Sequence, residues 1–541
     1  MRPDLLRPSR YTAFALCLAL LGMSALFVGA YAPAWHPLAW TAVGVFGALC
    51  LVGVHDVLQR RHSILRNYPV IGHVRWMAEL VRPEIRQYLV EADEEAAPFS
   101  RSQRSLVYQR AKGEAGEQPF GTLMDTYRDG YEFVAHSMMP AKAADPASFR
   151  ITIGNDQCAR PYSASVFNIS AMSFGAISAN AIRALNAGAK RGGFSHDTGE
   201  GSISPYHLEM GGDIVWELGS GYFGCRTDEG RFDPERFAAE ARLDAVKMIE
   251  IKLSQGAKPG HGGVLPAAKV TPEIARTRGV PLGRDCISPS RHTAFSTPLE
   301  LTAFIAQLRA LSGGKPVGFK LCIGHPWEFM GIVKAMLESG VVADFVVVDG
   351  AEGGTGAAPT EFSDHIGAPM REGLLFVHNT LVGAGLRHRI KLGVAGKVVS
   401  AFDIASVLAI GADWANAARG FMFAVGCVQS RSCNTNRCPT GVATQDALRQ
   451  GALVVPDKAE RVYNFHRQTL RALSEMLAAA GVEHPDDLKP HHLVRRVNAI
   501  EIKQFSELHT FLRPGELLGE DCDERFYAEN WKRASTTTFA A

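Results

Sequence analysis

The chain has 541 residues, of which 46% are hydrophobic and 21% are charged, and its formal net charge is +2. This composition excludes an intrinsically disordered protein, and a near-neutral chain without a dominant basic stripe argues against a nucleic-acid partner. The length suffices for one large α/β domain with accessory segments.

The N-terminal part contains two apolar stretches, at about 11–31 and 38–57, each about as long as a helix that crosses ~30 Å of hydrocarbon. They predict a transmembrane helical hairpin. The positive-inside rule places both ends, and all that follows, in the cytoplasm, at the inner membrane. The alternatives are a cleaved signal peptide before a periplasmic enzyme, and a buried core hairpin. The flanking arginines that set this orientation are Arg2, Arg7, Arg10, Arg60, Arg61 and Arg66.

The remainder divides by its pattern into three further segments. Residues 61–150 are mixed and charged and are interpreted as a cap segment. Residues 151–450 are interpreted as the main domain. Residues 451–541 begin with a helix at 457–481 and form a C-terminal helical extension, whose polar tail we expect to be poorly ordered beyond Trp531.

The main domain alternates short apolar runs with helix-length segments and glycine-rich turns, a pattern typical of βα units and a parallel sheet. At least six such units over about 280 residues favour a closed barrel over an open sheet. The fold class is therefore α/β, a parallel (β/α)8 TIM barrel behind a transmembrane hairpin. The predicted strands lie at 165–171, 245–252, 316–321, 345–348, 390–394 and 414–417.

The most specific motif is a loop that holds three of the ten cysteines, Cys427, Cys433 and Cys438, with Pro439 after the last. Such a trio in a large enzyme indicates metal or cofactor ligation before disulfides. Three thiolates are one fewer than a cubane cluster takes, so the count fits a 3Fe–4S centre better. Zinc with a fourth ligand elsewhere, and three buried structural cysteines, remain alternatives.

Two glycine-rich turns follow consecutive predicted strands. Gly353, Gly354 and Thr355 follow the strand at 345–348, and Gly393 and Gly396 accompany the next strand. Backbone N–H groups at such strand ends can close around a phosphate, and phosphate sites gather in the later loops of a barrel. Each turn taken alone could equally serve tight backbone geometry.

Polar residues follow three earlier strands at the end where a barrel places its active site. Lys252, Gln255 and Lys258 follow the strand at 245–252 and could hold a dicarboxylate beside a cofactor, although solvated loop lysines are the alternative. Met172 and Ser173 end the first barrel strand and can bring backbone against a planar ring. Glu200 supplies a carboxylate in the next loop, where a helix-capping acid would look the same.

In this order the motifs resemble the FMN-binding synthase domain of bacterial and plant glutamate synthase, in the form carried by stand-alone, membrane-anchored homologues. The resemblance runs from about residue 60 to residue 485. It implies FMN and a 3Fe–4S cluster as cofactors. Glutamate formation from 2-oxoglutarate is the activity that it implies.

The resemblance also implies roles for individual residues. Cys427, Cys433 and Cys438 match the cluster ligands, and Gly353, Gly354 and Thr355 match the flavin-phosphate loop. Met172, Ser173, Gln255 and Lys320 match residues near the flavin. Lys258, Lys252 and Arg278 match substrate-binding cations, and Glu200 matches the active-site acid.

Several features depart from the family pattern. The sequence contains no recognisable glutaminase domain, C-terminal β-helix or NADPH-binding GxGxxG unit. His261 stands where the family usually has an acid, and Val264 where it often has a polar residue. These two changes put 2-oxoglutarate itself in question and leave the flavin site intact.

The expected function is reductive amination of a 2-oxo acid by reduced FMN, with ammonia or an amine as nitrogen source. Glu200 and Lys258 are the expected catalytic residues, and electrons are expected from an external donor protein through the cluster. The alternatives are a related FMN oxidoreductase acting on another amine or 2-oxo substrate, and a non-catalytic membrane electron-transfer subunit.

Overall fold

A computed structural model describes residues 11–30, 36–59, 62–92, 97–114, 116–519 and 522–540. The chain divides into two compact units, Met1–Ala92 and Asp93–Ala541. The division falls within the predicted cap segment, so residues 62–92 belong with the two apolar stretches. Arg2, Arg7, Arg10, Arg60 and Arg61, which carry most of the predicted orientation, lie outside the described residues.

The first unit begins with two long apolar helices, α1 (Thr12–Ala30) and α2 (His36–Leu58). Both helices are long and apolar enough to cross a membrane. Only 6% of the most apolar part of α1 and 17% of that of α2 are buried. Cys17 of α1 and Cys50 of α2 are both buried where the two helices pack on each other. Gly53 of α2 has no β-carbon, so the ring of Phe14 packs directly against the α2 backbone. A hairpin that exposes so much apolar surface differs from the core helices of a soluble domain.

Two shorter helices follow, α3 (Ser63–Asn67) and α4 (Gly72–Ile85), and α4 continues into a π-helical turn at Arg86–Val90. A fully buried carboxylate, Asp56, joins them to α2. It accepts a hydrogen bond from the backbone N–H of Val70 at 3.0 Å and contacts His73 Nε2 at 3.0 Å. The first turn of α4 is therefore fixed near the last turn of α2.

The second unit is a closed, parallel, eight-stranded barrel, which confirms the predicted fold class. All six predicted strands are present, and two more complete the barrel. Its strands in chain order are β4 (Phe167–Ile169), β5 (His196–Asp197), β6 (Ile214–Leu218), β7 (Val246–Lys252), β10 (Val317–Leu321), β11 (Phe345–Asp349), β12 (Lys391–Ala395) and β13 (Trp414–Ala417).

Short pairs of antiparallel strands lie outside the barrel. Before it come β1 (Glu132–Val134), β2 (Arg150–Ile153) and β3 (Tyr162–Ser165), and between β7 and β10 lie β8 (Val264–Leu265) and β9 (Cys286–Ile287). After it, β14 (Leu493–Arg496) and β15 (Ile502–Gln504) form a small sheet with β1.

Helices surround the barrel. Their sequences carry local start signals, as in the helix at Pro298–Leu311, where Thr297 and Glu300 form a capping box with Pro298 in the first turn. The helices of this unit are α5 (Arg101–Lys112), α6 (Ala179–Gly192), α7 (Pro205–Glu209), α8 (Pro234–Ala241), α9 (Pro272–Arg278), α10 (Pro298–Leu311), α11 (Pro326–Ser339), α12 (Thr360–His365), α13 (Met370–Gly383), α14 (Ala401–Ala409), α15 (Arg419–Ala424), α16 (Ala447–Gly451), α17 (Val455–Ala480), α18 (Phe505–Leu508) and α19 (Arg525–Arg533).

The C-terminal tail differs from expectation, because it packs onto the barrel unit beyond Trp531. The backbone N–H of Leu299 donates to Thr536 O at 3.0 Å, and Lys334 Nζ donates to Ala534 O at 3.0 Å. The polar tail sequence gave no sign of these contacts, since they are made by its backbone carbonyls. The tail thus packs against the first turn of α10 and the middle of α11.

Candidate cofactor and substrate site

A cavity of about 940 Å³ opens at the carboxyl ends of the barrel strands. Each of the eight strands, or the loop that follows it, contributes to its wall. Its volume is near the upper end of the range usual for small-molecule and cofactor sites. This is the position at which (β/α)8 barrels place their active sites.

One wall of the cavity is formed by the glycine-rich turn after β11 and the turn after β12. Gly353, Gly354 and Thr355 line it together with Gly396. Gly393 does not, because it lies inside β12, where the indole ring of Trp414 occupies the space of a β-carbon. The structure thus brings four of the five predicted residues of the glycine turns to one place.

Two cations complete this wall, Lys397, which ends the second glycine motif after β12, and Arg419 after β13, which the sequence interpretation missed. Arg419 donates to Glu352 O at 2.7 Å, and its guanidinium lies 4.6 Å from the ring centre of Phe99. Burial lowers the pKa of Arg419 to about 10, which leaves it charged at neutral pH. Loop N–H groups and two cations together favour an anionic group such as a phosphate.

The floor of the cavity contains a buried cluster of charged side chains centred on Lys320 in β10. Its Nζ lies 2.9 Å from Glu250 Oε1 and 4.0 Å from Asp197 Oδ2, and it forms an ion pair with Glu217. Lys320 is 3% exposed. Strand register explains the grouping, because Glu217 pairs with Glu250 and Lys252 pairs with Lys320 on neighbouring strands.

Burial and mutual repulsion govern the protonation of this cluster. Burial alone would lower the pKa of Lys320, but Glu217, Glu250 and Asp197 raise it well above its ordinary value. Burial raises the pKa of Asp197, with repulsion from Glu250 adding to it, and burial likewise raises the pKa of Glu250. Lys320 is therefore a permanent cation, and these carboxyl groups retain protons more readily than exposed ones.

Glu200, in the loop after β5, lies beside this cluster. Lys252 Nζ is 3.1 Å from Glu200 Oε1, and Ser288 Oγ donates to Oε2 at 3.1 Å. Burial opposes ionisation of Glu200, yet Lys252, Arg278 and Ser288 hold its pKa below the ordinary value. Glu200 is therefore a carboxylate at neutral pH, and it can accept a proton.

Lys258 and Arg278 differ from Lys252 and Lys320, which are paired with carboxylates. Lys258 is 1% exposed and donates to Ala357 O at 3.0 Å, and Arg278 is 4% exposed and donates to Phe174 O at 2.7 Å. Among the described residues neither side chain has a carboxylate within 4.0 Å, and Arg278 Nε has no hydrogen-bond partner. Both cations line the cavity with charge available for an anion.

The remaining predicted residues of the cavity are Met172, Ser173 and Gln255, and all three line it. Ser173 lies against Gly199, where a β-carbon would approach Ser173 N to 2.6 Å. Gly199 has φ +63°, so the loops after β4 and β5 approach closely through a glycine. His261 instead lines a small neighbouring cavity that it shares with Glu200, Lys252 and Gln255.

The three predicted cluster ligands lie in the loop that follows α15. Cys427 and Cys433 line the cavity, and Cys438 is buried beside it. Burial raises the pKa of Cys427 to about 12, whereas Cys438 has a lowered pKa because hydrogen bonds at its sulfur from Ala443 and Thr440 outweigh burial. A ligating thiolate needs such an environment.

The spacing of these sulfur atoms bears on the kind of metal they suit. Within the described residues, the group whose ligand atoms all lie within 4.8 Å of one another is Asp197, Glu217 and Glu250, not the three cysteines. Sulfur atoms around one zinc ion, with Zn–S near 2.3 Å, would lie about 4 Å apart. The three sulfur atoms are therefore not all spaced as the ligands of a single zinc ion would be.

One further buried lysine lies against the cysteine loop. Lys269 Nζ donates to Ala176 O at 2.7 Å and to Cys433 O and Ala443 O at 3.3 Å each. Burial lowers the pKa of Lys269 to about 8, with Cys433 and Cys438 opposing that shift. The sequence offered no local signal for it, since the run around Lys269 resembles an ordinary turn.

The fold and the site define a (β/α)8-barrel protein with a large cavity for an anionic ligand beside a cysteine loop. Residues 130–483 match the family described as "Conserved region in glutamate synthase". Because this match covers more than half of the chain, the chain belongs to the glutamate synthase family, as the motifs predicted.

Individual relatives agree with this assignment. The chain is 38% identical over 483 residues to the "Glutamate synthase large subunit-like protein YerD" of Bacillus subtilis, which covers 82% of this chain and 91% of that protein. It is 34% identical over 320 residues to the "Archaeal-type glutamate synthase (NADPH)" of Thermotoga neapolitana, 59% of this chain and 60% of that protein. The chain therefore spans less than two thirds of the archaeal-type relative.

Among solved structures, a mutant flavocytochrome b2 with pyruvate bound aligns with a TM-score of 0.41 and 14% identity, over 78% of this chain and 85% of that chain. A mandelate oxidase mutant with (S)-mandelic acid aligns with a TM-score of 0.40 and 16% identity, over 80% and 98%.

Proposed function

We propose that the chain is a glutamate synthase-like FMN oxidoreductase that reductively aminates a 2-oxo acid, with 2-oxoglutarate as the substrate and glutamate as the product. The observation that carries the proposal is the pairing, in one cavity, of an anion-binding glycine wall with two buried cations, Lys258 and Arg278, that lack a carboxylate partner among the described residues. One anionic group suits the wall, and a second suits the cations.

The residues of the wall fit the phosphate of FMN. Gly353 and Gly354 lack the β-carbons that would crowd a ligand, and Gly354 lies against Arg419, where a β-carbon would come within 2.8 Å of Nη1. Lys397 adds a second cation. The ring of FMN would lie against Met172, Ser173, Gln255 and Lys320, where the buried Lys320 ammonium would stabilise negative charge on the reduced flavin.

The cysteine loop fits an iron–sulfur cluster, and its three ligands fit a 3Fe–4S cluster best. The environment of Cys438 favours a thiolate, and the three sulfur atoms are not all spaced as the ligands of a single zinc ion would be. Cys427 and Cys433 line the same cavity as the flavin residues, so the two cofactors would be neighbours. Bound FMN supplies hydride transfer to the imine carbon, and the cluster supplies one-electron transfer from the donor protein.

The chain's own residues hold the substrate. Lys258 and Arg278 bind the carboxylates of the 2-oxo acid, and Lys252, which lines the same cavity and is paired with Glu200, polarises the carbonyl oxygen. Condensation of the 2-oxo acid with ammonia releases water and gives an imine. The imine then takes up a hydride at carbon and a proton at nitrogen to become the amino acid.

Glu200 is the general base of the proposed reaction. Because it is ionised, it removes a proton from the ammonium ion or incoming amine before the attack on the carbonyl carbon. Glu200 then returns this proton to the hydroxyl group that leaves as water, and, ionised again, it stabilises the positively charged imine. The electrons come from an external donor protein, and a free small molecule supplies the nitrogen.

The test of this proposal is Lys258→Ala, with Lys503→Ala as control because Lys503 is a half-buried lysine of β15 that does not line the cavity. Loss of a charge contact to the substrate, worth about 2–4 kcal/mol, lowers kcat/KM for 2-oxoglutarate about 100-fold. Wild-type kcat/KM in Lys258→Ala removes Lys258 from the mechanism. FMN content and near-ultraviolet circular dichroism verify that the variant is folded and loaded.

A second candidate is a related FMN oxidoreductase that acts on another amine or 2-oxo substrate. It is favoured by His261, which stands in place of the family's usual acid and lines the small cavity beside Glu200 and Lys252. A screen of 2-oxo acids and amines that follows flavin reoxidation distinguishes the two. Cofactor binding without turnover on any substrate would instead indicate a non-catalytic electron-transfer subunit.

We also propose that α1 and α2 cross the inner membrane and that the barrel faces the cytoplasm. α1 has 19 residues and α2 has 23, lengths that span about 28 Å and 34 Å. Leu16, Leu26, Leu38 and Leu51 are each more than half exposed, which suits lipid-facing positions.

A further inference from the structure

The helix α4 exposes an apolar stripe along its whole length. Val74, Met77, Val81 and Ile85 recur at the three- and four-residue spacing that places them on one face. Their side chains are 56%, 66%, 46% and 45% exposed. In a soluble protein a helix normally buries such a face, so this stripe calls for a partner outside the described residues.

The opposite face of α4 is charged. Arg75, Glu79 and Arg82 recur at the complementary spacing, Arg86 follows them in the π-helical turn, and Arg75 Nε lies 2.9 Å from Glu79 Oε1. Trp76 is 40% exposed between the two faces. A helix with an apolar face, an arginine-bearing face and a boundary tryptophan matches the pattern of helices that lie in a membrane interface.

The hydrogen bonds that join α4 to the apolar helix α2 indicate what the apolar stripe contacts. Asp56 lies two residues before the end of the apolar helix α2, and it bonds both Val70 N and His73 Nε2 at 3.0 Å. The turn between them is further fixed by Leu65, which packs where Gly72 has no β-carbon. The first turn of α4 is therefore anchored about one helical turn from the end of α2.

We propose that α4 is an interfacial helix whose stripe of Val74, Met77, Val81 and Ile85 inserts into the lipid of the same membrane that α1 and α2 cross. The proposal rests on the proposed membrane location of the hairpin. Asp56 lies near the end of a helix that spans the membrane in this proposal, so the surface next to α4 is the boundary between lipid and water. The arginines of α4 suit the anionic lipid headgroups at that boundary. The helix would thereby hold the start of the soluble chain at the bilayer surface.

The experiment places an environment-sensitive fluorescent amino acid by stop-codon suppression at one position at a time of the full, cofactor-loaded chain. Met77 and Val81 report on the stripe, Arg75 and Arg82 report on the charged face, and Leu26 in α1 reports on the hairpin. Each variant is reconstituted into vesicles of phosphatidylcholine and phosphatidylglycerol. Quenching by doxyl lipid measures contact with lipid, and quenching by iodide measures contact with water.

The proposal predicts at least about threefold stronger doxyl quenching at Met77 and Val81 than at Arg75 and Arg82, with iodide quenching in the reverse order. Equal iodide quenching on both faces would place α4 in water and overturn it. A stripe shielded from both quenchers would overturn the proposal and indicate that a protein covers it. If dilution of the chain relieves the shielding, that protein is a second copy of the chain.

The Leu26 reporter separates this inference from the proposal on which it rests. If doxyl lipid quenches Leu26 but not Met77, the hairpin spans the membrane and only the interfacial role of α4 fails. If doxyl lipid quenches neither position, the proposed membrane location fails and the interfacial helix fails with it. The unlabelled chain supplies the background signal of flavin and tryptophan.

Discussion

The two lysines that follow β7 differ in their surroundings, although both lie at the cavity. Lys252 is paired with Glu200 at 3.1 Å, whereas Lys258 has a backbone carbonyl as its hydrogen-bond acceptor. From sequence alone both were substrate-binding candidates, and Lys258 was also an expected catalytic residue. The structure separates them, because a paired lysine mainly orients Glu200, and Lys258 retains its charge for a ligand.

The pH dependence of substrate binding follows from the burial of Lys258. Burial lowers its pKa below the ordinary 10.5, so the ammonium loses its proton at a lower pH than an exposed lysine would. We therefore expect kcat/KM for the 2-oxo acid to fall with rising pH on a limb that begins below pH 10.5. In Lys258→Arg this limb moves to higher pH, because arginine stays protonated. Identical limbs in the two proteins would contradict the assignment.

Lys269 provides a test of the cysteine loop at the same scale. Its ammonium lies against the carbonyls of Cys433 and Ala443, so it stabilises added negative charge on a cluster held there. Lys269→Gln is expected to lower the cluster's reduction potential by about 60 mV, a tenfold change in a one-electron equilibrium. A potentiometric titration measures it, with Lys269→Arg as the charge-retaining control. An unchanged potential would show that Lys269 is structural only.

At the scale of elements, six barrel strands were predictable because each coincides with a short, mostly apolar run between helix-length segments. Two strands escaped prediction. β5 has only two residues, His196 and Asp197, and Glu217 interrupts the apolar pattern of β6. Asp197 and Glu217 belong to the buried charged cluster, so in these two strands residues of the site replace part of the apolar pattern. β7 was predicted although Glu250 belongs to the same cluster, because this longer strand keeps its other apolar positions.

The residues of the candidate site were predictable where they lie at the ends of predicted strands. Residues at the carboxyl ends of long strands were found, as with Lys252, the last residue of β7, because strand ends meet at one edge of the barrel. Arg419 follows β13 in the same way and could have been found by that rule. Lys269 and Ser288 could not, since long loop segments bring them to the site and no periodic pattern marks their approach.

The loop glycines allow a test of how tightly these elements meet. A β-carbon on Gly263 would collide with the carboxylate of Glu200, whereas one on Gly324 would meet open space. Gly263→Ala is therefore expected to displace Glu200 and reduce kcat about 10- to 100-fold in a folded protein. Gly324→Ala is expected to keep wild-type kcat. Equal kcat in both variants would show that Glu200 is not held as the structure has it.

At the scale of the whole molecule, the two compact units predict separable properties. Exposed apolar surface is concentrated in the first unit, on α1, α2 and α4. We expect the full chain to sediment with membranes and to resist extraction by high salt and by alkaline carbonate. A variant lacking residues 1–92 is expected in the soluble fraction with its flavin. Recovery of the full chain without detergent in the soluble fraction would contradict the membrane proposal.

The central claim, one barrel that holds flavin and an iron–sulfur cluster side by side, is tested most directly by cofactor analysis of the full chain. The chain is purified anaerobically in detergent, and its FMN, iron and acid-labile sulfide are measured together with its visible spectrum. The account predicts about one FMN and about three iron atoms per chain. Loss of iron but not FMN in Cys433→Ser, with both retained in Cys158→Ser, would locate the cluster. A folded protein with neither cofactor would contradict the account.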